Sequence, residues 1–306
     1  MTVLTKVLLV LALGAATGSA QAHDDAVNCD SCGDWNEAVK PFNVYGNTWY
    51  VGVKGLSVLL VTSPKGHILL DGALPQSAPL VAANIKALGF RIEDVKLILN
   101  SHAHWDHAGG IAALQRASGA TVAASASSAL VLQAGTNGAD DPQYQASPVI
   151  NVERVSKVKL VREGDTMRVG ALALTARMTP GHTPGSTTWT WTSCEAGRCL
   201  NMVYADSLNP YASGDFKFTG KGKTPDISAS FAASIAKVAA LQCDIVISVH
   251  PDVTKVLERA AERTAASNPL IDSNGCRQYA AAASERLSKR LASERQESQP
   301  VTDKPR

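Results

Sequence analysis

Four potential metal ligands lie within six consecutive residues of this chain, in the segment 102–107, which reads HAHWDH. In extended backbone, side chains two positions apart point the same way, so His102 and His104 can bind one metal ion. Asp106 and His107 follow at once and are placed to bind a second ion. The whole chain has only 7 histidines, so a cluster this dense favours a metal centre over isolated structural histidines.

The residues on either side of this cluster give its setting. Residues 95–100 form an apolar run of β type, and Gly109 and Gly110 come shortly after the cluster. We therefore expect the ligands on a loop between the carboxyl end of a buried strand and the start of a helix. Active sites of α/β proteins usually lie at this position.

Two further histidines stand in sequences typical of turns. His182 lies in the segment 179–185, which reads TPGHTPG, and His250 is followed by Pro251. With the cluster they make a set of five histidines and one aspartate that contains no thiolate. Neutral imidazoles with a carboxylate suit zinc better than other common metals.

The cluster at 102–107, the segment around His182 and the late His250 together resemble the metallo-β-lactamase superfamily. The similarity extends from about residue 35 to about residue 276. Within the superfamily the chain is most similar to the class B, subclass 3 metallo-β-lactamases, because the ligand cluster is complete and no cysteine stands at the later ligand position. Other segments that resemble this subclass are residues 44–52, 67–72 and 204–208.

The resemblance implies a zinc-dependent β-lactamase. A zinc-bound hydroxide would hydrolyse the β-lactam amide bond of penicillins, cephalosporins and carbapenems, with Asp106 orienting it as the catalytic carboxylate. Two zinc ions are implied, each with three ligands. The first set is His102, His104 and His182. The second set is Asp106, His107 and His250.

The resemblance also implies two substrate contacts. Ser207 stands where relatives bind the substrate carboxylate, and its hydroxyl can donate a hydrogen bond. Relatives often carry a second hydroxyl two positions later, and here that position is Asn209, whose amide can also donate. The alternative interpretation of Ser207 is a turn residue before Pro210.

Asp206 leaves a second activity open. Lactonase-like and glyoxalase-like members of the superfamily use an aspartate near this position as a metal bridge, and such a site would favour an exported hydrolase of lactones or thioesters. In the subclass resembled here, the aspartate stands beside the serine without binding metal. A non-catalytic metal-binding protein is disfavoured because all six ligand positions are filled, and an iron-dependent oxygenase of this fold usually lacks part of the second set.

The amino terminus predicts export. Lys6 precedes an apolar run at 7–13, and residues 20–22 form a small-x-small cleavage site. We expect a signal peptide at 1–22, a single domain at 23–295 and a disordered polar tail at 296–306. The mature protein is expected to be a periplasmic monomer with no membrane anchor, acting on a small-molecule β-lactam. A formal net charge of +2 argues against a nucleic-acid partner.

Six cysteines in an exported chain indicate disulfides. Cys194 and Cys199 flank a short polar segment between two β-type runs, which suits a bridge across a hairpin. The resemblance implies that Cys243 and Cys276 tie the start of the last strand to the carboxyl-terminal helix. The other two cysteines, Cys29 and Cys32, can pair with each other or stay free.

The hydrophobic pattern predicts two similar halves. Runs of β type at 48–53, 56–61 and 67–71 predict an antiparallel meander, whereas 23–47 is expected to be irregular and 135–150 to form a loop beside the substrate groove. Further strands are predicted at 95–100, 121–124, 157–161, 171–178, 187–192, 200–204 and 244–249. Helices are predicted at 77–88, 110–117, 127–134, 228–241 and 277–292. Two such halves predict an α/β (α+β) fold, a four-layer αβ/βα sandwich with the ligands along the shared edge of its sheets.

Overall fold

A computed structural model describes residues 26–145 and 150–297 of the chain. The expected signal peptide at 1–22 and most of the expected tail, from 298 onward, lie outside the described residues. Residues 296 and 297 of that tail belong to the last helix. Among the described residues, no helix combines the length and the apolar character needed to cross a bilayer.

The described residues form twelve strands. They are β1 (Phe42–Tyr45), β2 (Thr48–Tyr50), β3 (Leu59–Val61), β4 (His67–Leu70), β5 (Val95–Leu99), β6 (Thr121–Ser125), β7 (Val158–Val161), β8 (Thr166–Val169), β9 (Leu172–Met178), β10 (Thr187–Glu195), β11 (Arg198–Ala205) and β12 (Ile245–Ser248).

The same residues form nine α-helices. They are α1 (Cys32–Trp35), α2 (Ala78–Ala87), α3 (Trp105–Ala108), α4 (Ile111–Ser118), α5 (Ala126–Ala134), α6 (Ser228–Ala239), α7 (Pro251–Thr254), α8 (Val256–Ala261) and α9 (Gly275–Glu297). Two 3₁₀ turns, Pro75–Ser77 and Ile92–Asp94, precede α2 and β5.

The strands form two sheets. The first contains β1 to β7 in chain order, antiparallel from β1 to β4 and parallel from β4 to β7. The second has the order β12-β11-β10-β9-β8, in which only β11 and β12 are parallel. Each sheet therefore contains parallel strands whose carboxyl ends can carry site residues.

Neighbouring residues of one strand enter different hydrophobic cores, and this alternation sets the layers. In β3, Leu59 and Val61 join the core between the sheets, whereas Leu60 joins the core under α2 and α4. In β12, Ile245 joins the core between the sheets and Val246 joins the core under α6 and α9. Both sheets are thus covered on both faces, which explains why their central strands are continuous hydrophobic runs. The predicted four-layer sandwich is confirmed.

Three disulfides are present. One joins Cys194 and Cys199 across the β10–β11 hairpin, as the spacing suggests. A second joins Cys243, just before β12, to Cys276 in the first turn of α9. The third joins Cys29 to Cys32, so the two cysteines whose pairing the sequence leaves open are bonded to each other.

The sequence pattern missed several short elements. Residues 42–45, expected to be irregular, form the edge strand β1, and residues 166–169 form β8. Each has four residues, too short for a reliable alternation of apolar and polar positions. The last helix is longer than the predicted 277–292, because its polar outer face hides the helical pattern beyond that point. The extent of the single domain at 23–295 stays a prediction.

Candidate metal centre

The candidate ligands come from three loops that meet at one edge of the sandwich. The cluster 102–107 follows β5 and runs into α3, His182 lies in the turn between β9 and β10, and His250 lies between β12 and α7. The strand β5 belongs to the first sheet, and the other strands belong to the second. The centre is therefore assembled only when the two sheets pack together.

The loop that carries the cluster is held by a buried carboxylate. Asp71 is completely buried at the end of β4, and its Oδ1 accepts hydrogen bonds from Ser101 N (2.7 Å) and Asn100 Nδ2 (3.2 Å). Its Oδ2 accepts from Ser101 Oγ at 2.6 Å. The backbone of Asp71 has a positive φ of 63°, which non-glycine residues adopt only where the surroundings enforce it.

The Tyr204 hydroxyl lies between Asp71 and a backbone carbonyl. The Tyr204 hydroxyl lies 2.7 Å from Ser57 O and 2.9 Å from Asp71 Oδ2. A single hydroxyl proton cannot serve two acceptors, so a protonated Asp71 completes this arrangement. Burial raises the pKa of Asp71 to about 7, and the bonds from Ser101 and Tyr204 oppose that rise only in part.

The turn that carries His182 is fixed against α6. A side chain at Gly181 would place its Cβ 2.2 Å from the ring of Phe231, so only glycine fits here. Ser234 Oγ, also on α6, donates to Pro180 O at 2.7 Å. The sequence Pro-Gly-His is thus explained by close packing of the turn on the helix.

A first group of three histidines converges at the centre of this edge. One ring nitrogen from each of His102, His104 and His182 lies within 4.8 Å of the others, and all three side chains are buried. The free Nε2 of His102 has no hydrogen-bond partner among the described residues. An orphaned, fully buried ring nitrogen of this kind suits a metal ion.

The other ring nitrogen of each of these histidines is tethered. His102 Nδ1 donates to Asp206 Oδ1 (2.6 Å), and His182 Nδ1 donates to Asn209 O (2.8 Å). His104 Nε2 donates to both carboxylate oxygens of Asp141, at 3.0 and 3.1 Å. Such tethers fix the tautomer and the ring direction of histidines that bind metal.

Burial keeps two of these imidazoles neutral. It lowers the pKa of His182 to about 3, with further lowering by the neighbouring His102 and His104. Burial and the adjacent imidazoles also lower the pKa of His102 well below its ordinary value. Burial alone would do the same to His104, but the Asp141 carboxylate outweighs it and raises that pKa. Neutral imidazole is the form that binds metal.

The second group has the dimensions of a tetrahedral zinc site. Asp106 Oδ2 lies 3.2 Å from His107 Nε2 and 3.5 Å from His250 Nε2, and the two nitrogens are 3.2 Å apart. Two ligand atoms that bind one tetrahedral zinc at 2.0–2.1 Å lie about 3.3 Å apart. His250 Nδ1 donates to Gly55 O at 3.1 Å, which leaves its Nε2 free.

Asp206 stands behind the first group. It is fully buried, and burial raises its pKa. One oxygen is bonded to His102 Nδ1. Among the described residues, two sets have ligand atoms within 4.8 Å of one another, His102 with His104 and His182, and His102 with Asp106 and His107; Asp206 belongs to neither. The structure therefore brings Asp206 to the ring of a candidate ligand.

A groove of about 770 Å³ opens in front of both groups. Ser207 and Asn209 line it, as do the candidate ligands His104, Asp106 and His182. Ser207 is buried, whereas the side chain of Asn209 is exposed and its backbone holds His182. Both predicted substrate contacts are thus beside the candidate metal centre.

The amino-terminal segment forms another wall of this groove. Residues 28–31, which include Cys29, line it together with Trp35. The Trp35 ring lies 5.3 Å from the ring of His250 and 6.2 Å from that of Trp105. The loop that the Cys29–Cys32 disulfide closes therefore forms part of the wall of the groove.

Several residues of the site were missed by sequence reasoning. Asp141 lies in the polar loop expected at 135–150, where nothing marked it out among the neighbouring Asp, Asn and Gly residues. In the sequence, Asp71 stands out only as part of a segment that resembles the subclass. Both hold the cluster by contacts 30 or more positions away in sequence, and no local pattern predicts such contacts.

Comparisons with known proteins agree with this geometry. The family model described as the metallo-beta-lactamase superfamily matches residues 51–194. The structure is similar to that of MEM-A1, a subclass B3 metallo-β-lactamase from a soil metagenome library, with 50% identity and a TM-score of 0.83 over 86% of this chain and 100% of that one. The chain belongs to the metallo-β-lactamase superfamily.

Two other solved structures support the membership. Rm3 metallo-β-lactamase is 51% identical, with a TM-score of 0.83 over 88% of this chain and 100% of its own. BJP-1, a subclass B3 metallo-β-lactamase of Bradyrhizobium japonicum, is 30% identical, with a TM-score of 0.79 over 88% of this chain and 100% of its own. The resemblance read from the sequence is confirmed.

Curated relatives of this superfamily member are more distant. A hydroxyacylglutathione hydrolase of Anaeromyxobacter dehalogenans is 32% identical over 183 residues, which is 60% of this chain and 55% of that protein. One from Rhodopseudomonas palustris is 31% identical over 40% of this chain and 38% of its own. The matched parts span about half or less of these relatives.

We predict that Asp71→Asn changes how stability depends on pH. The folded chain keeps the Asp71 proton up to about pH 7, whereas an unfolded carboxyl releases it near 3.8. Raising the pH through this window therefore lowers the free energy of unfolding of the wild type, by at most about 1.4 kcal/mol per pH unit. Asparagine cannot release a proton, so the variant lacks this decline.

The measurement is urea denaturation of both metal-free proteins between about pH 4 and pH 8. The difference in free energy of unfolding, wild type minus variant, is expected to fall as the pH rises to about 7 and to level off above it. A difference that stays constant or grows with pH would contradict the account of Asp71.

We predict that Asp141→Ala weakens zinc binding by about 10- to 100-fold, because His104 loses the acceptor that fixes its ring. The affinity can be measured by competition with a chromophoric chelator. Asp140→Ala removes the same charge from an exposed neighbour and is expected to leave the affinity unchanged. Equal affinities in wild type and Asp141→Ala would show that the tether has no such role.

Proposed function

We propose that this protein is a zinc-dependent β-lactamase that hydrolyses the amide bond of penicillins, cephalosporins and carbapenems. The observation that carries the proposal is the pair of ligand groups at the head of a groove of about 770 Å³. Solved structures similar to this protein include MEM-A1, a subclass B3 metallo-β-lactamase, at 50% identity and Rm3 metallo-β-lactamase at 51% identity. The substrate is accordingly a small molecule.

The residues present fit two zinc ions. The three tethered histidines His102, His104 and His182 each offer one ring nitrogen to one ion. Asp106, His107 and His250 offer a triangle of donor atoms with edges of 3.2, 3.2 and 3.5 Å to the other. Nitrogen and carboxylate donors without thiolate are typical of zinc centres that keep a position open for chemistry.

Bound zinc supplies a Lewis acid and water of lowered pKa. The chain itself positions the reactants. Burial raises the pKa of Asp106, but His107 and His250 outweigh that effect and hold it well below its ordinary value, so the carboxylate is ionised. We propose that this carboxylate accepts a hydrogen bond from the attacking water and directs the water oxygen towards the β-lactam carbonyl carbon.

Ser207 and Asn209 are proposed to bind the substrate carboxylate. Both line the groove on the side of His182, and the hydroxyl and the amide can each donate a hydrogen bond. Water adds across the amide bond, with oxygen bound to the carbonyl carbon and a proton to the released ring nitrogen. Holding the carboxylate fixes which face of the ring meets the water.

A hydrolase of lactones or thioesters is the second candidate, favoured by the hydroxyacylglutathione hydrolases among the curated relatives. Its proposed hallmark is an aspartate that bridges the two metals. Asp206, the residue in that place, has one oxygen committed to the back of His102 at 2.6 Å. This arrangement supports the β-lactamase proposal.

We further propose that the protein acts in the periplasm as a monomer. The support is the amino-terminal sequence at 1–22, which has the pattern of a signal peptide. The three disulfides suit an oxidising compartment.

The test is hydrolysis of a carbapenem and a cephalosporin by the purified mature protein. We expect turnover with zinc, a loss of at least about 100-fold after chelation, and recovery when zinc is restored. Magnesium, which prefers oxygen ligands, is the control and should not restore activity. An S-acylglutathione thioester and an acyl-homoserine lactone are assayed in parallel. Turnover of either of these by zinc-loaded protein that leaves both drugs intact would overturn the proposal.

A further inference from the structure

Arg286 lies at the groove, and the described residues offer it no hydrogen-bond or ion-pair partner. It lies on α9, seven positions after Tyr279 and three after the fully buried Ala283, so the three residues share one face of the helix. Tyr279 and Arg286 both line the groove. The inward face of the last helix therefore contributes to the substrate pocket.

The guanidinium group of Arg286 has no acceptor in the described part of the chain. Its Nε is buried and makes no hydrogen bond, and no ion pair or hydrogen bond of its terminal nitrogens is present there. The adjacent Glu285 pairs with Lys289 instead, at 2.6 Å. A cation that is half-buried and unpaired is costly unless an anion joins it.

Apart from Arg286, the residues proposed to bind the substrate carboxylate are uncharged. Among the described residues that line the groove, Arg286 is the one lysine or arginine. The proposed carboxylate-binding residues, Ser207 and Asn209, carry no charge. Asp30 lies on another wall of the groove and would repel an anion from it. Away from the candidate metal ligands, Arg286 is thus the charged group of the lining that can attract an anion.

Tyr279 links this helix face to the turn that carries Ser207. Its hydroxyl donates to Asp206 O at 2.8 Å and accepts from Leu208 N at 3.3 Å. The disulfide between Cys243 and Cys276 fixes the first turn of the same helix beside β12. The helix that carries Arg286 is therefore joined, through Tyr279, to the turn that carries Ser207.

We propose that Arg286 is a specificity-determining residue that binds a carboxylate of the substrate. This inference rests on the proposed β-lactamase activity and deepens it. Penicillins, cephalosporins and carbapenems carry a carboxylate beside the ring nitrogen, and some of them carry a second carboxylate on the acyl side chain. A charge-assisted hydrogen bond from a guanidinium group is stronger than one from a hydroxyl or an amide.

The test compares Arg286→Met with wild type on two penicillins that differ by one group. Benzylpenicillin has one carboxylate, and carbenicillin has a second one on the side chain. We expect KM to rise by about 10-fold, which corresponds to the loss of one charge-assisted contact, while kcat stays within about 2-fold. Equal rises for both penicillins assign Arg286 to the shared carboxylate. A rise for carbenicillin alone assigns it to the side-chain carboxylate.

A neutral ligand separates charge from shape. The methyl ester of benzylpenicillin is measured by its inhibition constant against benzylpenicillin turnover, and this constant should be the same in wild type and Arg286→Met. Arg286→Lys, which keeps the charge, should recover part of the lost affinity. Lys289→Met removes one charge from the exposed face of the same helix and should leave KM unchanged.

Two results would overturn the inference. One is an unchanged KM for both penicillins in Arg286→Met. The other is an equal loss of affinity for the neutral ester, which would mean that the side chain only shapes the pocket. Failure of the wild type to hydrolyse benzylpenicillin is a different result, because it rejects the proposed function itself.

Discussion

The candidate metal centre depends on leaving one ring nitrogen of each of four histidines available for a metal ion by engaging the other nitrogen in a hydrogen bond. Asp206, Asp141 and two backbone carbonyls take the other nitrogen of four histidines. Burial keeps His102 and His182 neutral, so their free nitrogens are available as ligands. Without a metal ion, His102 Nε2 is left buried and unsatisfied among the described residues, which is costly. The packing of two sheets is what brings these tethers together.

Much of the fold was predictable because the hydrophobic pattern and the turn residues indicate the same strands and helices. The β-type runs, the turns between them and the amphipathic helices gave the two halves and the four layers. The cluster at 102–107 was predictable as a metal centre because its ligands are adjacent in sequence. The short strands β1 and β8 were missed because four residues carry too little pattern.

The supporting residues could not be predicted in the same way. Asp71 and Asp141 act through contacts with segments distant in sequence, and their own neighbourhoods look like ordinary loops. Asp141 reaches His104 from a loop 37 positions away. Their roles can be seen only in the folded structure, where the chain brings each side chain to its distant partner. Functional sites built from several loops generally have this property.

We propose that six side chains form two zinc sites. Elemental analysis after equilibrium dialysis of the folded protein counts the zinc ions that are bound. We expect two zinc ions per chain in the wild type and one in His250→Ala, which loses a ligand of the second group only. A wild type that is folded and saturated with zinc yet holds a single ion, or none, would contradict it.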